Sequence, residues 1–266
     1  MLISLPSLKA FVSKKDGNCK EADMVAKPVI LLDDGGVMND NRLRGSQWQR
    51  LVGEIFAPRL GGKSTLWAEA NRITMTNIFE SENWQRRVQT ALDYVSFERT
   101  YWCDWLSGMC QFVGVKTPPE ADCIELARQA EAYITCRVQS AFPGAIEAIC
   151  ELHNQGYTLH TASGESSLNL HGYLQAMGVR HYFERLYGSD LLNTLKETPE
   201  YYKRLFSDLQ IAPNDVLIVD DSPRVLAWAR DLGALTVLVN AKREPMDGML
   251  CIASLAELPG LVQPYN

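Results

Sequence analysis

Two short apolar runs, each stopping abruptly at a pair of acids, constrain this chain more than any other feature. Val29-Ile30-Leu31-Leu32 runs into Asp33, Asp34, Gly35 and Gly36, and Val216-Leu217-Ile218-Val219 runs into Asp220 and Asp221. An unbroken apolar run of this length, without polar alternation, reads as a strand covered on both faces, as in a parallel sheet flanked by helices. The polar residues that follow then lie outside the carboxyl ends of the strands, where open α/β sheets carry their chemistry.

The rest of the chain supplies the helices. After Phe142-Pro143-Gly144 the pattern alternates: helix AIEAICELHNQ, strand YTLHTA, helix SLNLHGYLQAMG, strand FERLYG, helix PEYYKRLFSDLQ, strand DVLIVDD, helix PRVLAWARDLG, strand LTVLV, then CIAS and a short helix ELPGLV. Short Gly- or Pro-marked connections give this βαβ logic, hence a doubly wound parallel α/β sheet with helices on both faces. Residues 45–140 differ. They carry helical periodicity almost throughout (SQWQRLVGEIF, STLWAEANRITMTNIF, one long pattern NWQRRVQTALDYVSFERTYWCDWLSGMCQF, and EADCIELARQAEAYITCRVQ), with breaks expected at 57–62 and 117–119. The expected organisation is a loose tail over 1–23, an α/β core over 24–40 and 143–266, and an all-helical block inserted over 41–142.

Composition excludes several classes. With 266 residues, 46% hydrophobic and 22% charged, the chain is neither disordered nor fibrous. Its 26 Lys+Arg against 32 Asp+Glu leave a net charge of -6 and no basic surplus for nucleic acid. No apolar stretch is long enough for a membrane span. Met1–Lys15 reads as neither a signal nor a transit peptide, and the seven cysteines form no CxxC pair, so a reducing, cytoplasmic setting is expected.

Strand ends converge in such a sheet, bringing Asp33, Thr161, Lys196, Asp220 and Asp221 to one crevice. Carboxylates grouped from two loops suit Mg2+, a hard cation that binds through one or two carboxylates plus a substrate phosphate. Thr161, with Ser163 as the alternative, and Lys196, with Lys203 as the alternative, would then face phosphate oxygens.

In these residues the sequence resembles the haloacid dehalogenase (HAD) superfamily. Its first motif, D-x-D-G-[TV]-[LM]-x-D, matches Asp33 through Asp40; the second, a strand ending in Thr or Ser, matches Thr161; the third, a Lys before a Pro-marked helix, gives Lys196; the fourth, an acidic pair after an apolar strand, gives Asp220 and Asp221. The resemblance implies a helical cap inserted after the first motif and hydrolysis of a small phosphorylated or otherwise activated metabolite. Asp33 would be the nucleophile. Mg2+ would sit on Asp33, the Gly35 carbonyl and Asp221, with Asp220 beside it, while Thr161 and Lys196 hold the phosphoryl group. One departure stands out. The motif's second Asp, the general acid/base of family phosphatases, is Gly35 here, and such a group is worth about 10²- to 10⁴-fold in rate. Dehalogenase- and phosphonatase-type members also lack that acid. The alternative is a catalytically silent ligand-binding or regulatory protein of the same fold.

Other motifs carry less. Ala57–Ser64 (APRLGGKS) fits a relaxed phosphate-binding loop, but that loop must follow a strand and the preceding residues read as helix. Tyr94, Phe97, Tyr101, Trp102 and Trp105 at helical spacing are expected to be core of the helical block, with a substrate-pocket wall as the alternative. The four histidines lack metal-ligand spacing.

Overall fold

A computed structural model describes residues 27–242 and 249–263; the expected tail, 1–23, lies outside them. Strands β1 (Val29–Leu32), β2 (Leu159–Ala162), β3 (Phe183–Tyr187), β4 (Val216–Asp220), β5 (Leu235–Val239) and β6 (Leu250–Ile252) form one sheet in the order β3-β2-β1-β4-β5-β6. All pairings are parallel. The chain builds outward from β1 through β2 to β3, then crosses back to lay β4 on the other side of β1. The strand order reverses there, and a crevice opens at the carboxyl ends of β1 and β4.

Alternation along β1 divides the core. Ile30 and Leu32 pack with Leu217 and Val219 against helices α6 (Ala145–Asn154) and α7 (Ser167–Ala176). Leu31 and Ile218 face the other way, onto α8 (Glu200–Leu209) and α9 (Pro223–Asp231). Both faces are covered, as apolar runs without alternation require. A short α10 (Leu258–Val262) closes the first face.

Between β1 and α6 lie α1 (Asn41–Leu60), α2 (Ser64–Ile78), α3 (Ser81–Thr90), α4 (Tyr94–Val113) and α5 (Glu120–Thr135). They enclose a separate apolar cluster around Phe56, Trp67, Trp105, Leu106 and Met109, which Tyr173 of α7 joins from the core side. Phe56 packs 5.2 Å from Trp67 and 5.8 Å from Trp105, between ring centroids. The chain enters and leaves this block through adjacent segments: Asp40 N–H donates to Ser140 O (2.7 Å), Phe142 N–H to Met38 O (3.0 Å), and Ser140 Oγ to Asn39 Oδ1 (2.9 Å).

Two helix boundaries differ from the sequence expectation. The long pattern over 83–112 is two helices, because Asp93 caps α4 with a reciprocal capping box to Ser96 and stops α3 before it. The break expected at 57–62 comes later. Helix α1 runs through Pro58 to Leu60, since a proline near the last turn removes a single ladder bond, and Gly61 at φ 86° ends it. The Gly-Gly-Lys segment therefore joins two helices with no strand before it. Among the described residues, no helix is long and apolar enough to cross a membrane, and Cys103, Cys110, Cys123, Cys136, Cys150 and Cys251 are free thiols.

Candidate active site

Asp33 sits one residue beyond β1, its N–H held by Val219 O of β4 (2.9 Å), so the backbone ladder itself aims it between the two strands. Asp220 ends β4. Its Oδ1 accepts from Ser222 N–H (2.7 Å), and Ser222 in turn caps α9, with Pro223 at the first helical position. Oxygens of Asp33, Asp220 and Asp221 all lie within 4.8 Å of one another.

Lys196, from the loop before α8, joins this group. Its ammonium donates to Asp33 Oδ1 (3.0 Å), Asp220 Oδ2 (2.5 Å) and Ala162 O (2.6 Å), which uses all three donors. Burial alone would lower the Lys196 pKa, and the two carboxylates outweigh it, holding the ammonium well above the ordinary lysine value. Burial also pushes Asp220 up to about 6 against the pull of Lys196. Asp221 is raised by burial and then by Asp33, and it has no ion-pair partner among the described residues.

Glycine shapes the loop between them. Gly36 has φ 87°, and a Cβ there would collide with the Asp221 carboxylate, so the first loop lies directly against the fourth. At Gly35 a Cβ would come within 2.6 Å of Asn41 Oδ1; the first residue of α1 fills the space a side chain at 35 would occupy. Asp34 does not replace the missing acid. It lies in the turn after β1, and its buried carboxylate pairs with Arg44 and accepts from Asn39 Nδ2 (2.7 Å). Arg44 also reaches Glu165 (3.3 Å) and lies 4.2 Å from the centre of the Tyr173 ring.

The four motif positions are not equivalent. Asp33, Gly35, Lys196, Asp220 and Asp221 line a single cavity of about 840 Å³ between the sheet and the helical block. Thr161 does not. It is fully buried within β2 and its hydroxyl donates to Tyr187 O (3.3 Å), whereas Ser163, two residues on, lines the cavity. β2 ends at Ala162, as the sequence pattern implies, so Thr161 lies inside the strand and the hydroxyl at the rim is the serine.

The cavity continues into the helical block, where four of the five aromatics follow the alternative reading as a pocket wall. Tyr94, Phe97, Tyr101 and Trp102 line it along with Glu98 of α4 and Glu131 of α5. Of the aromatic cluster expected to be core, Trp105 sits in the block's interior, its indole N–H on Asn71 Oδ1 (2.8 Å), and Trp102 serves both. No spacing signal marks Glu98 or Glu131, since an acid on a helix ordinarily faces water.

Comparison with known proteins bears on this arrangement. The family profile described as haloacid dehalogenase-like hydrolase matches residues 107–239, half of the chain. The chain belongs to that family. It is 29% identical over 97 residues to a phosphoglycolate phosphatase of Vibrio vulnificus, a match covering 36% of the chain and 42% of the relative, and 26% identical over 102 residues to one from Haemophilus influenzae (38% and 46%). The matches thus span less than half the length of these curated relatives. Among solved structures, the HAD-hydrolase YfnB of Bacillus subtilis bound to magnesium superposes with a TM-score of 0.60 at 17% identity, covering 90% of this chain and 99% of that one. The L-2-haloacid dehalogenase of Xanthobacter autotrophicus gives 0.58 at 16% identity, covering 89% and 98%. These likenesses establish a HAD Rossmann-like fold with a helical cap.

Proposed function

We propose that this hydrolase cleaves small phosphomonoesters with Asp33 as nucleophile, and that residues 41–142 form the cap that selects them. The observation that carries the reading is the convergence of Asp33, Asp220 and Asp221 oxygens within 4.8 Å, braced by Lys196. A divalent cation fits this donor set. Asp221 forms no ion pair among the described residues and Asp33 Oδ1 keeps a lone pair beside Lys196, so hard oxygens remain for Mg2+ while the other Asp33 oxygen stays free, with Gly35 lining the same cavity. Bound there, Mg2+ would neutralise charge on the phosphoryl oxygens.

The chain's own residues then divide the work. The free oxygen of Asp33 attacks phosphorus; the bond to the ester oxygen breaks, and an aspartyl phosphate forms. Water subsequently cleaves that intermediate, releasing phosphate and regenerating Asp33. Lys196 has no spare donor, so it acts by charge, offsetting repulsion between the nucleophile and an anionic substrate. Ser163 holds a phosphoryl oxygen, with Thr161 behind it fixing the strand end. At position 35 no carboxyl protonates the leaving oxygen, and the Asn41 amide next to it can donate a hydrogen bond without giving up a proton. The substrates that suit this site leave as stabilised anions, such as aryl, enol or acyl phosphates.

The test is Asp33→Asn, assayed with 4-nitrophenyl phosphate and Mg2+. Turnover should fall by about 10⁴-fold or more with the circular dichroism spectrum unchanged. Hydrolysis at the parent rate would remove Asp33 from the reaction.

A further inference from the structure

The cavity holds more acid than the proposed chemistry uses. Its lining cations are all committed: Lys196 to Asp33 and Asp220, Arg44 to Asp34 and Glu165, Arg72 to Glu69, and Arg224 to Glu197. Glu98 and Glu131, on the helical side, face no cation among the described residues. Glu131 is only 8% exposed, with the Trp102 indole and the Asn169 amide against its carboxylate. Glu98 accepts from the Tyr94 hydroxyl (3.0 Å). Burial and the neighbouring Glu165 and Glu98 push Glu131 up to about 8, and burial pushes Glu98 to about 7. Two carboxyls are thus held in a site that penalises their charge and supplies no counterion.

Aromatic rings surround them. Phe97 packs 5.5 Å from Trp84, edge to face, and 6.4 Å from Tyr101 in a parallel stack, while Tyr94 lies 6.1 Å from Phe97. Aromatic faces with unpaired carboxylates are the surroundings an ammonium ion favours, since ring quadrupole and negative charge both act on it once water is excluded. The acids also run in a row. Glu165 lies within Coulombic reach of Asp33 and Asp34 on one side, and Glu131 within reach of Glu165 and Glu98 on the other, so this pocket is the far end of the cavity that begins at Asp33.

We propose that the substrate is a phosphoester whose alcohol portion carries an ammonium group on an apolar or aromatic body, with the cation seated between Glu98, Glu131 and the Tyr94–Trp102 wall. The substrate identity rests on the hydrolase reading above; the cation site stands apart from it. A bound ammonium would return both carboxyls to their ionised form and supply the counterion the cavity lacks.

Tyramine O-phosphate and 4-ethylphenyl phosphate share a phenolic leaving group and differ in the terminal charge, so the vacancy at position 35 affects both equally. At neutral pH with Mg2+, kcat/KM should favour the tyramine ester by about tenfold, and the ratio should fall toward one in E131Q and E98Q. A ratio at or below one in the unaltered protein overturns the proposal while leaving the hydrolase reading intact, and needs no variant to fold. So does a ratio that neither variant changes. Calorimetric binding of tyramine against 4-ethylphenol provides an arm without turnover. If neither ester is hydrolysed but tyramine still binds the tighter of the two, the hydrolase reading falls and the cation site stands; equal binding overturns the site.

Discussion

The two ends of the cavity are built on opposite electrostatic terms. At the sheet end, Lys196 binds Asp33 and Asp220 directly, and the backbone of adjacent loops fixes the third acid, Asp221, against Gly36. At the helical end, Glu98 and Glu131 stand among aromatic rings and have no counterion among the described residues. The first region is built around a cation of the chain's own, which pairs two of its three acids. The second is left incomplete, and its missing partner must come from outside the chain. Chemistry common to a fold calls for the former arrangement, and recognition of a particular molecule for the latter.

That contrast can be broken most sharply at Lys196. Lys196→Met leaves Asp33 and Asp220 buried side by side without their cation, so it should cost roughly 3 to 5 kcal/mol of stability in urea unfolding and about 10³-fold in kcat/KM. A variant losing neither would show that the sheet end does not depend on its pairing. The next effect concerns position 35. Gly35→Asp alone must displace Asn41, so the productive variant is Gly35→Asp with Asn41→Ala. Its gain on alkyl phosphates should exceed its gain on aryl phosphates by up to about 10²-fold, because only the poor leaving group needs a proton. Equal gains on both classes would mean protonation does not limit the site.

A smaller effect separates the two hydroxyls. Ser163→Ala should lower kcat/KM about tenfold, as expected for one lost hydrogen bond to a charged group. Thr161→Val should instead cost about 1 kcal/mol of stability through the bond to Tyr187 and leave the rate alone. The reverse result would restore the threonine to the site. The last effect sharpens the helical end. A carboxyl raised to about 8 in the folded state and ordinary when unfolded keeps its proton longer in the native protein. Its contribution to stability therefore declines as pH climbs from the unfolded value toward 8 and stays low above it. Glu131→Gln, which cannot ionise, should flatten that decline and stabilise the protein above pH 8 by roughly 1 to 3 kcal/mol. Parallel stability–pH curves for parent and variant would mean Glu131 is not held in a site hostile to its charge.

The sheet end was largely legible in the sequence because a parallel strand declares itself through an unbroken apolar run, and its last residue is tied to the crevice by topology alone. Asp33, Asp220 and Asp221 followed from that, and Lys196 from its place before a Pro-marked helix. Thr161 and Ser163 were both eligible, because only the position of the Tyr187 carbonyl, which takes the threonine hydroxyl, separates them. The helical end was hidden for a deeper reason. Helical periodicity shows that Tyr94, Phe97 and Tyr101 share a face, yet whether that face meets another helix or an empty space is decided by how five helices stack. Glu98 and Glu131 look like ordinary exposed polar residues until α4 and α5 turn them into the cavity, and nothing in the sequence shows that the exposed Asn41 lies against Gly35.

The paired crossing at 38–40 and 140–142 bears on how such a molecule diversifies. The outgoing and returning segments lie hydrogen-bonded side by side, Asp40 to Ser140 and Phe142 to Met38. The sheet therefore experiences everything spliced between them as a single loop with a fixed stem. Changes within that loop can leave strand order and register in place so long as Arg44, which pairs with the buried Asp34, is kept. Ancestry can be conserved in one half of the sequence while appetite is rewritten in the other.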